Sequence, residues 1–333
     1  MSQVTNLACA VCSCPAQTSN NTCERCGNKF TFVDFFADKR SSDKWNLRIK
    51  ALKNEYALHK REQFLKKNIS LFSNCAVFGE NGNITVCKGD KQKHTYEGVI
   101  QYSVGARHTV MLHNDGTVTA QGDNRDGQCN LSELSNIRYV YAGANCTYAV
   151  NSEGRVIIKG FSALEEVVST WTGIEKIVGS KGRLIGITKD GAVKIADDMQ
   201  KIDLDVSDAI DVDTTYNFSV WLKKNGTVGC FGKKTDARNS AAEWKEIVAV
   251  GVDNNRVIGL MRDGTVKVAE KLMADNNPTE KALATGENVM YITCSDFGTM
   301  AIFSNGKIKI LGNVENKDAI ETELSEAFSA MLS

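Results

Sequence analysis

Proline and histidine are scarce in this sequence, and neither sign of charge is in excess. The 333 residues include two prolines, four histidines and 40 basic against 40 acidic side chains. Balanced charge removes any general attraction to nucleic acid or to an anionic membrane surface. No apolar run approaches the length of a membrane span, and Met1 to Ala8 lack the charged and apolar regions of a secretory signal. We therefore expect no membrane span.

The common catalytic motifs are also missing. The sequence contains no Walker phosphate loop, no dinucleotide glycine fingerprint, no H-E-x-x-H and no nucleophile-elbow G-x-S-x-G. None of the four histidines stands beside a Ser or Cys nucleophile in sequence. For His108 we favour a structural histidine that bonds to a neighbouring blade over a catalytic one. We predict that the protein is not an enzyme.

Glycine, by contrast, recurs in register. A motif of a polar residue, Gly, any residue and Val or Ile returns seven times at intervals of 34 to 42 residues, with its glycines at Gly82, Gly116, Gly154, Gly191, Gly226, Gly264 and Gly306. Each copy separates two short apolar runs, as a β-hairpin tip does. A late series follows the tip by six residues (Gly122, Gly160, Gly232, Gly312), and an early series precedes it (Gly105, Gly143, Gly179, Gly251). We attribute all three series to tight turns that require positive φ.

Seven such units indicate a closed ring. A repeat of this length with several short strands is typical of a β-propeller, and closure removes the sheet edges that an open array would expose. We therefore predict an all-β fold, with a seven-bladed β-propeller at residues 70–313. A short acidic helix is expected at residues 314–333, with an apolar stripe of Ile320, Leu324, Phe328 and Met331 that docks on the rest of the chain.

The second repeat resembles that of the regulator of chromosome condensation family. The pattern G-x-x-H-T-x-x-L-x-x-D-G-x-V-x-x-x-G-x-N-x-x-G-Q is matched by Gly105, His108, Thr109, Leu112, Asp115, Gly116, Val118, Gly122, Asn124, Gly127 and Gln128. The repeat length is most similar to that of the bacterial members. The fourth and sixth repeats depart from the pattern, because Asp197 and Glu270 replace the late glycine. The resemblance implies the fold but no single function, since exchange factors, inhibitors and scaffolds share it, and it supports guanine-nucleotide exchange by analogy only.

Cysteines cluster at the start of the chain, where five of the eleven lie within the first 26 residues. Cys9-x2-Cys12 and Cys23-x2-Cys26 have the spacing of two zinc knuckles, and four thiolates suit tetrahedral Zn²⁺. We predict a structural zinc ribbon at residues 1–30, with Zn²⁺ held by these four cysteines. Cys14 is the alternative to Cys12. Metal-binding rather than disulfide-bonded cysteines imply a reducing cytoplasm.

A basic amphipathic helix is expected in the linker, residues 31–69. Trp45, Ile49, Leu52 and Tyr56 recur at helical spacing, and residues 39–67 hold ten Lys or Arg against three Asp or Glu. Two interpretations stand: a helix that binds nucleic acid or another partner, and a linker helix that packs its apolar stripe on the propeller.

Loops on a rigid scaffold suit recognition, because little entropy is lost on docking. We predict a non-enzymatic scaffold or regulator that binds a protein partner through the propeller loops. Candidate contacts are Asp123, Arg125, Trp171 and Trp244. For both tryptophans, packing between blades is the alternative. The alternative function is a nucleic-acid-associated module that acts through the zinc ribbon and the basic helix of residues 39–67.

Overall fold

Seven antiparallel sheets make up most of the described chain. The computed structural model describes residues 69–332 except 81–82, 91, 93, 181, 200–201, 203, 205, 272–282 and 284–288. The predicted zinc ribbon with Cys9, Cys12, Cys23 and Cys26, and the predicted helix within residues 39–67, lie outside these residues. The side chains of residues 327–332 are likewise not described.

Each sheet is one blade, and its strands follow chain order. Blade 1 has four strands: β1 (Ile69–Leu71), β2 (Ala76–Glu80), β3 (Asn83–Cys87) and β4 (His94–Glu97). Blades 2 to 4 have three strands each: β5 (Val99–Val104), β6 (His108–His113) and β7 (Val118–Gly122); β8 (Ile137–Ala142), β9 (Cys146–Asn151) and β10 (Val156–Gly160); β11 (Ile174–Ser180), β12 (Arg183–Thr188) and β13 (Val193–Asp197). Blades 5 to 7 follow: β14 (Ala209–Thr214), β15 (Phe218–Lys223) and β16 (Val228–Gly232); β17 (Ile247–Val252), β18 (Arg256–Met261) and β19 (Val266–Glu270); β20 (Val289–Ser295), β21 (Gly298–Phe303) and β22 (Ile308–Gly312). Short helices lie between blades or after them: α1 (Glu165–Val168), a 3₁₀ helix (Ala237–Glu243) and α2 (Lys317–Leu332).

The blades form a ring around their first strands. The strands β5, β8, β11, β14, β17 and β20 each contact the next in this order, and β20 contacts β1. Blade 1 in turn contacts β5 through β2 and β3. This order confirms the prediction of an all-β, seven-bladed propeller.

Apolar cores lie between neighbouring blades. One core joins blade 3 to blade 4, and another joins blade 5 to blade 6; both include residues from the chain segment that connects the two blades. Val150 and Ile174 are buried in the first of these cores, and Leu222 and Ile247 in the second. Every blade therefore buries its faces on its neighbours, which is why the ring needs all of its repeats.

The hairpin tips form one end of the blades, which we call the tip face. In blade 2, the tip carbonyl of Gly116 accepts a hydrogen bond from the N–H of Ile137, the first residue of β8, at 3.0 Å. Gly154 accepts in the same way from Ile174 at 2.9 Å, so each tip is tied to the inner strand of the next blade. The same bond recurs for Gly191, Gly226 and Gly264. The tip glycine thus has two roles: it allows the tight turn, and its backbone packs against the next blade.

We predict that Gly154→Ala destabilises the fold far more than Gly173→Ala. Both residues have positive φ, 76° and 66°, which costs an L-residue about 1–2 kcal/mol. A Cβ at Gly173 would meet nothing within 4 Å, whereas one at Gly154 would lie 2.8 Å from the Cα of Gly173 and the N of Ile174. We therefore expect a loss of about 1 kcal/mol for Gly173→Ala and of about 3 kcal/mol for Gly154→Ala, measured by urea unfolding. Equal losses would contradict a contact between the tip and the next blade.

The early glycines have a different physical role from the one we attributed to them. Positive φ is confirmed for the described tip glycines and for the late glycines Gly122, Gly160 and Gly312. It is wrong for Gly232 of the late series and for the early series, Gly105, Gly143, Gly179 and Gly251, none of which has positive φ. A Cβ at Gly105 would lie 2.3 Å from the carbonyl oxygen of Gly143 in the next blade. Gly105, Gly179 and Gly251 are needed because an adjacent blade approaches closely, whereas a Cβ at Gly143 would meet Cys146 of its own blade.

Helix α2 closes the ring on its outer side. Ile320 and Leu324 are buried, as the predicted apolar stripe requires. The Glu321 side chain accepts a hydrogen bond from the N–H of Ile310 on β22 at 2.6 Å, and the Glu323 side chain accepts one from Gly89 of blade 1 at 3.0 Å. The helix thus covers the edge of the last strand and links the last blade to the first.

Candidate functional site: the loop face

The end of the blades opposite the tips is called the loop face. It carries the turns from each inner strand to the middle strand, such as Gly105–Arg107, and the residues that follow each outer strand, such as Asp123. The two sets are joined by hydrogen bonds: the N–H of Asp123 donates to the carbonyl of Arg107 at 3.0 Å, and the N–H of Phe161 donates to that of Asn145 at 3.0 Å. Each blade therefore presents a two-part rim at this face.

Asp123 and Arg125 lie on this rim, at the exit of blade 2. Their side chains form a salt bridge of 2.5 Å, in which the Arg125 side chain is well exposed. The hydrogen bonds from Arg125 lower the pKa of Asp123 to about 2. The pair is accessible, and Arg107 lies 3.9 Å from the same carboxylate, so two arginines share Asp123.

Trp171 and Trp244 pack between blades, which was the alternative for both. Trp171 is only 6% exposed, in the core between blades 3 and 4, and Trp244 is half-buried against the core between blades 5 and 6. As an exposed anchor for a partner, Trp171 is therefore excluded by its burial. Each tryptophan stands three residues before an inner strand, and each faces a glycine of the middle strand. A Cβ added to that glycine would lie 3.0 Å from the ring at Gly186 and 2.8 Å at Gly259. The large side chain fits because the facing residue has none.

The packing of both tryptophans follows a three-residue spacing in the sequence. In three of the segments that lead into an inner strand, an apolar residue of the core recurs at every third position: Leu131, Leu134 and Ile137; Val168, Trp171 and Ile174; and Ala241, Trp244 and Ile247. The same spacing in three connecting segments was a signal that both tryptophans belong to the core.

His108 is a structural residue in this fold. It is buried, and its Nε2 lies 2.9 Å from the Thr147 hydroxyl of blade 3, which itself donates to the carbonyl of Gln128 at 2.8 Å. Because the hydroxyl proton is used on Gln128, the proton of this bond is on Nε2. Burial lowers the pKa of His108, so the neutral ring is favoured.

The inner strands are joined by polar side chains along the axis of the ring. Gln101 bonds both the N–H and the carbonyl of Val140 at 2.9 Å, and the Lys176 ammonium lies 2.8 Å from the Asp211 carboxylate of the next blade. Ser180 of blade 4 donates to Asp296 of blade 7 at 2.6 Å. Because blades 4 and 7 are not neighbours, this last bond crosses the axis and narrows it at the loop face. These polar side chains along the axis form hydrogen bonds and a salt bridge between blades, which argues for a structural role.

Asp213, on an inner strand, makes the stability of the propeller depend on pH. Its carboxylate accepts the N–H groups of Val252 and Thr214, at 2.9 Å each, and lies near Lys176 and Asp211. Desolvation nevertheless raises the pKa of Asp213 to about 7. An unfolded aspartate titrates near about 3.9, so the folded state holds the extra proton between about pH 4 and about pH 7, and the free energy of unfolding falls as the pH rises through that window.

We predict that Asp213→Asn removes this contribution to the pH dependence of the free energy of unfolding. The difference in unfolding free energy between the variant and the wild type should shift in favour of the variant as the pH rises from 4 to about 7. His108 contributes with the opposite sign, because its pKa is lowered, but it is common to both proteins and cancels in the difference. Urea unfolding at a series of pH values measures the two profiles. Parallel profiles would show that Asp213 ionises normally in the folded protein.

Four large apolar side chains are exposed on the loop face. Phe161 and Met199 follow the outer strands of blades 3 and 4, and they are 67% and 75% exposed. Tyr216 and Phe297 lie in the inner turns of blades 5 and 7, and they are 46% and 47% exposed. On the tip face, the described residues with comparable exposure are two isoleucines, Ile100 and Ile210. The loop face is thus the more apolar end of the described propeller.

A fully buried arginine, which sequence reasoning missed, holds the turns of blades 5 and 6. The guanidinium of Arg238 bonds four groups: both oxygens of Asp236 at 3.0 and 2.8 Å, the carbonyls of Asp253 and Asn254 at 3.1 and 3.3 Å, and Asn217 Oδ1 at 3.1 Å. It also stacks 4.4 Å from the centre of the Phe218 ring. Arg238 follows Gly232 by six residues, as Gln128 follows Gly122, and both are completely buried. That shared spacing was the available signal.

A metal site was predicted only in residues that the structure does not describe. Within the described ranges, no group of three or more His, Cys, Asp or Glu side chains could hold a metal ion. No helix in the same part of the chain combines the length and the apolar character that a membrane span needs.

Comparisons with known proteins agree with this architecture. Residues 99–128 match the family model of the regulator of chromosome condensation repeat. The comparison with curated protein sequences gives no match. Among solved structures, the chain is similar to the CRINKLY WD40 ectodomain of the Arabidopsis thaliana receptor kinase ACR4, with 13% identity, a TM-score of 0.55, and coverage of 74% of this chain and 94% of that one. Human WBSCR16 is similar with 12% identity, a TM-score of 0.53, and coverage of 67% and 79%.

A third similar structure is the ectodomain of the Physcomitrella patens receptor kinase CR4, with 14% identity, a TM-score of 0.50 and coverage of 63% of this chain. This chain spans 62% of the length of that ectodomain. At such identities the likeness shows the fold alone. Blade 2 thus carries one repeat of the regulator of chromosome condensation type, within a seven-bladed β-propeller.

Proposed function

We propose that the protein is a non-enzymatic scaffold or regulator that recognises a protein partner through the loop face of its propeller. The observation that carries this proposal is the exposure of Phe161, Met199, Tyr216 and Phe297 at one end of the blades. Exposed aromatic and apolar side chains of this kind supply most of the binding energy in protein interfaces. The turns that present them are tied together by backbone bonds and by Arg238, so little entropy would be lost on docking.

Photo-crosslinking from defined positions tests this proposal. A benzoylphenylalanine at Phe161, Tyr216 or Phe297 should give a covalent adduct with a protein in cells of the source organism. The matched controls are benzoylphenylalanine at Ile100 and Ile210, which are 45% and 51% exposed on the tip face. We expect adducts from the loop-face positions only. Adducts from the tip face alone, or from no position, would argue against recognition through the loop face.

We also propose that Cys9, Cys12, Cys23 and Cys26 bind one structural Zn²⁺, with Cys14 as the alternative to Cys12. The support is the donor set itself, two C-x2-C pairs whose thiolates suit this ion. Such a site has no open coordination position and would stabilise its segment rather than catalyse a reaction. Native mass spectrometry of the full chain should show one zinc per molecule, and Cys23→Ser should abolish it. Retention of the zinc by that variant would exclude this ligand set.

A further inference from the structure

One part of the loop face combines exposed aromatic side chains with exposed lysines. We call it the basic sector, and it consists of Tyr216, Lys233, Lys234, Lys271 and Phe297. These residues belong to the inner turns of blades 5 and 7 and to the exits of blades 5 and 6. All five are exposed.

The contacts of Arg238 place these residues around one centre. Arg238 donates to Asn217, the neighbour of Tyr216, and to the carbonyl of Asn254. Asn254 in turn donates to the carbonyl of Asp296, the neighbour of Phe297, at 2.7 Å. Lys271 donates its N–H to the carbonyl of Asn255, and the carbonyl of Lys233 accepts from the N–H of Asp236 at 2.9 Å. The sector is therefore a rigid surface built on the turns of three successive blades.

The three lysines of the basic sector, Lys233, Lys234 and Lys271, form no salt bridge among the described residues. Asp296, beside Phe297, is bonded to Ser180. Asp236 is already paired with the buried Arg238. The exit of blade 4 carries instead the exposed acid Asp198, whereas at the exit of blade 2 the exposed Asp126 lies next to Arg125.

We propose that the basic sector binds an acidic protein segment that carries an aromatic or large apolar side chain. This proposal rests on the proposed function and identifies the chemistry of the partner. Carboxylates of the segment would meet the three lysines, while its apolar side chain would pack against Tyr216 and Phe297. A protein segment fits better than a nucleic acid strand, because three lysines neutralise few phosphates.

Synthetic peptides test this proposal directly on the full-length protein. The probe is a fluorescein-labelled peptide of alternating Asp and Glu with one central Phe; the matched peptides have Gly in place of Phe, or Lys in place of every acid. Fluorescence anisotropy measures each dissociation constant at low and at high salt. We expect the acidic Phe peptide to bind, the Lys peptide not to bind, and the Gly peptide to bind about tenfold more weakly. Salt should weaken binding, because the lysines are exposed.

Variants locate the binding to the sector. Lys233→Glu combined with Lys234→Glu, and Tyr216→Ser combined with Phe297→Ser, should each weaken the acidic Phe peptide by about tenfold or more. All four side chains are exposed, so the thermal unfolding temperature should stay unchanged. Lys194→Glu, on the outer strand of blade 4, is the charge control, and Ile210→Ser, on the tip face, is the apolar control. Both controls should bind like the wild type.

Three outcomes would overturn the proposal. The first is an absence of peptide binding, the second is binding that both sector variants retain, and the third is a poly-dT oligonucleotide that binds more tightly than the peptide and displaces it. The last result would assign the sector to single-stranded nucleic acid. If the peptide fails while loop-face crosslinks are still obtained, the proposed function stands and only the assigned partner chemistry is lost.

Discussion

Replacement of Arg238 by methionine is expected to lower the free energy of unfolding by about 3–5 kcal/mol. The substitution keeps much of the side-chain length but removes the guanidinium that pairs with Asp236 in this buried site. It also leaves the carbonyls of Asp253 and Asn254 without this donor. Breaking a buried pair from one side is costly, because the remaining charge stays buried without compensation.

The chain offers a matched control for this experiment. Arg125 and Asp123 have the same Asp-x-Arg spacing and the same fork of hydrogen bonds, but Arg125 is exposed. Arg125→Met should therefore leave the midpoint of urea unfolding unchanged. The two variants together separate the effect of burial from the effect of the pairing itself. If Arg238→Met unfolded at the same urea concentration as the wild type, the guanidinium would not hold the turns of blades 5 and 6.

The second large effect is expected at the last residue of the outer strand in blade 4. In blades 2, 3, 5 and 7 this position is a glycine, because a Cβ would strike the facing first residue of the middle strand; at Gly122 it would lie 2.8 Å from the Cα of His108. Blade 4 has Asp197 there, and the facing residue is Arg183. The two side chains form a salt bridge, with Nε of Arg183 at 2.7 Å from Asp197, and both are 3% exposed. An acid replaces the glycine only where an arginine faces it.

Asp197→Gly alone is therefore expected to cost about 3–5 kcal/mol, because Arg183 becomes a buried charge without its partner. The double variant Arg183→His with Asp197→Gly restores the pairing of blade 2 and should recover most of that loss. Urea unfolding of the wild type, both single variants and the double variant gives the coupling energy of the pair. Additive losses, with no recovery in the double variant, would mean that the arginine and the acid are not a substitute for the glycine.

Blade 6 repeats this exchange. Glu270 occupies the glycine position, and Arg256 faces it in the strand register. Arg256 also lies 2.8 Å from Asp253, which accepts a hydrogen bond from Thr299 of blade 7 at 3.0 Å. The two repeats in which an acid replaces the late glycine are thus the two that have an arginine at the start of the middle strand. In each of these two repeats the acid and the facing arginine replace the usual residues together, so the repeat keeps its structure.

The amino-acid sequence by itself determined the number of blades and the position of each hairpin. Glycine at the tips is a local requirement, since positive φ at Gly116 or Gly264 depends only on the turn that the residue makes. A local requirement that recurs seven times is visible without any knowledge of contacts. The same holds for the apolar stripe of α2, whose Ile320 and Leu324 are buried as the spacing indicates.

Only the tertiary structure decided which residues meet across blades. Trp171 and Trp244 were candidate anchors for a partner, but each lies over a glycine of the next middle strand, fifteen residues further along the chain. Arg238 and Gly105 also have roles that depend on the neighbouring blade, as the carbonyl of Asp253 and the contact of Gly105 with Gly143 show. Burial and close approach between repeats are set by how the ring closes, so a single repeat contains no record of them.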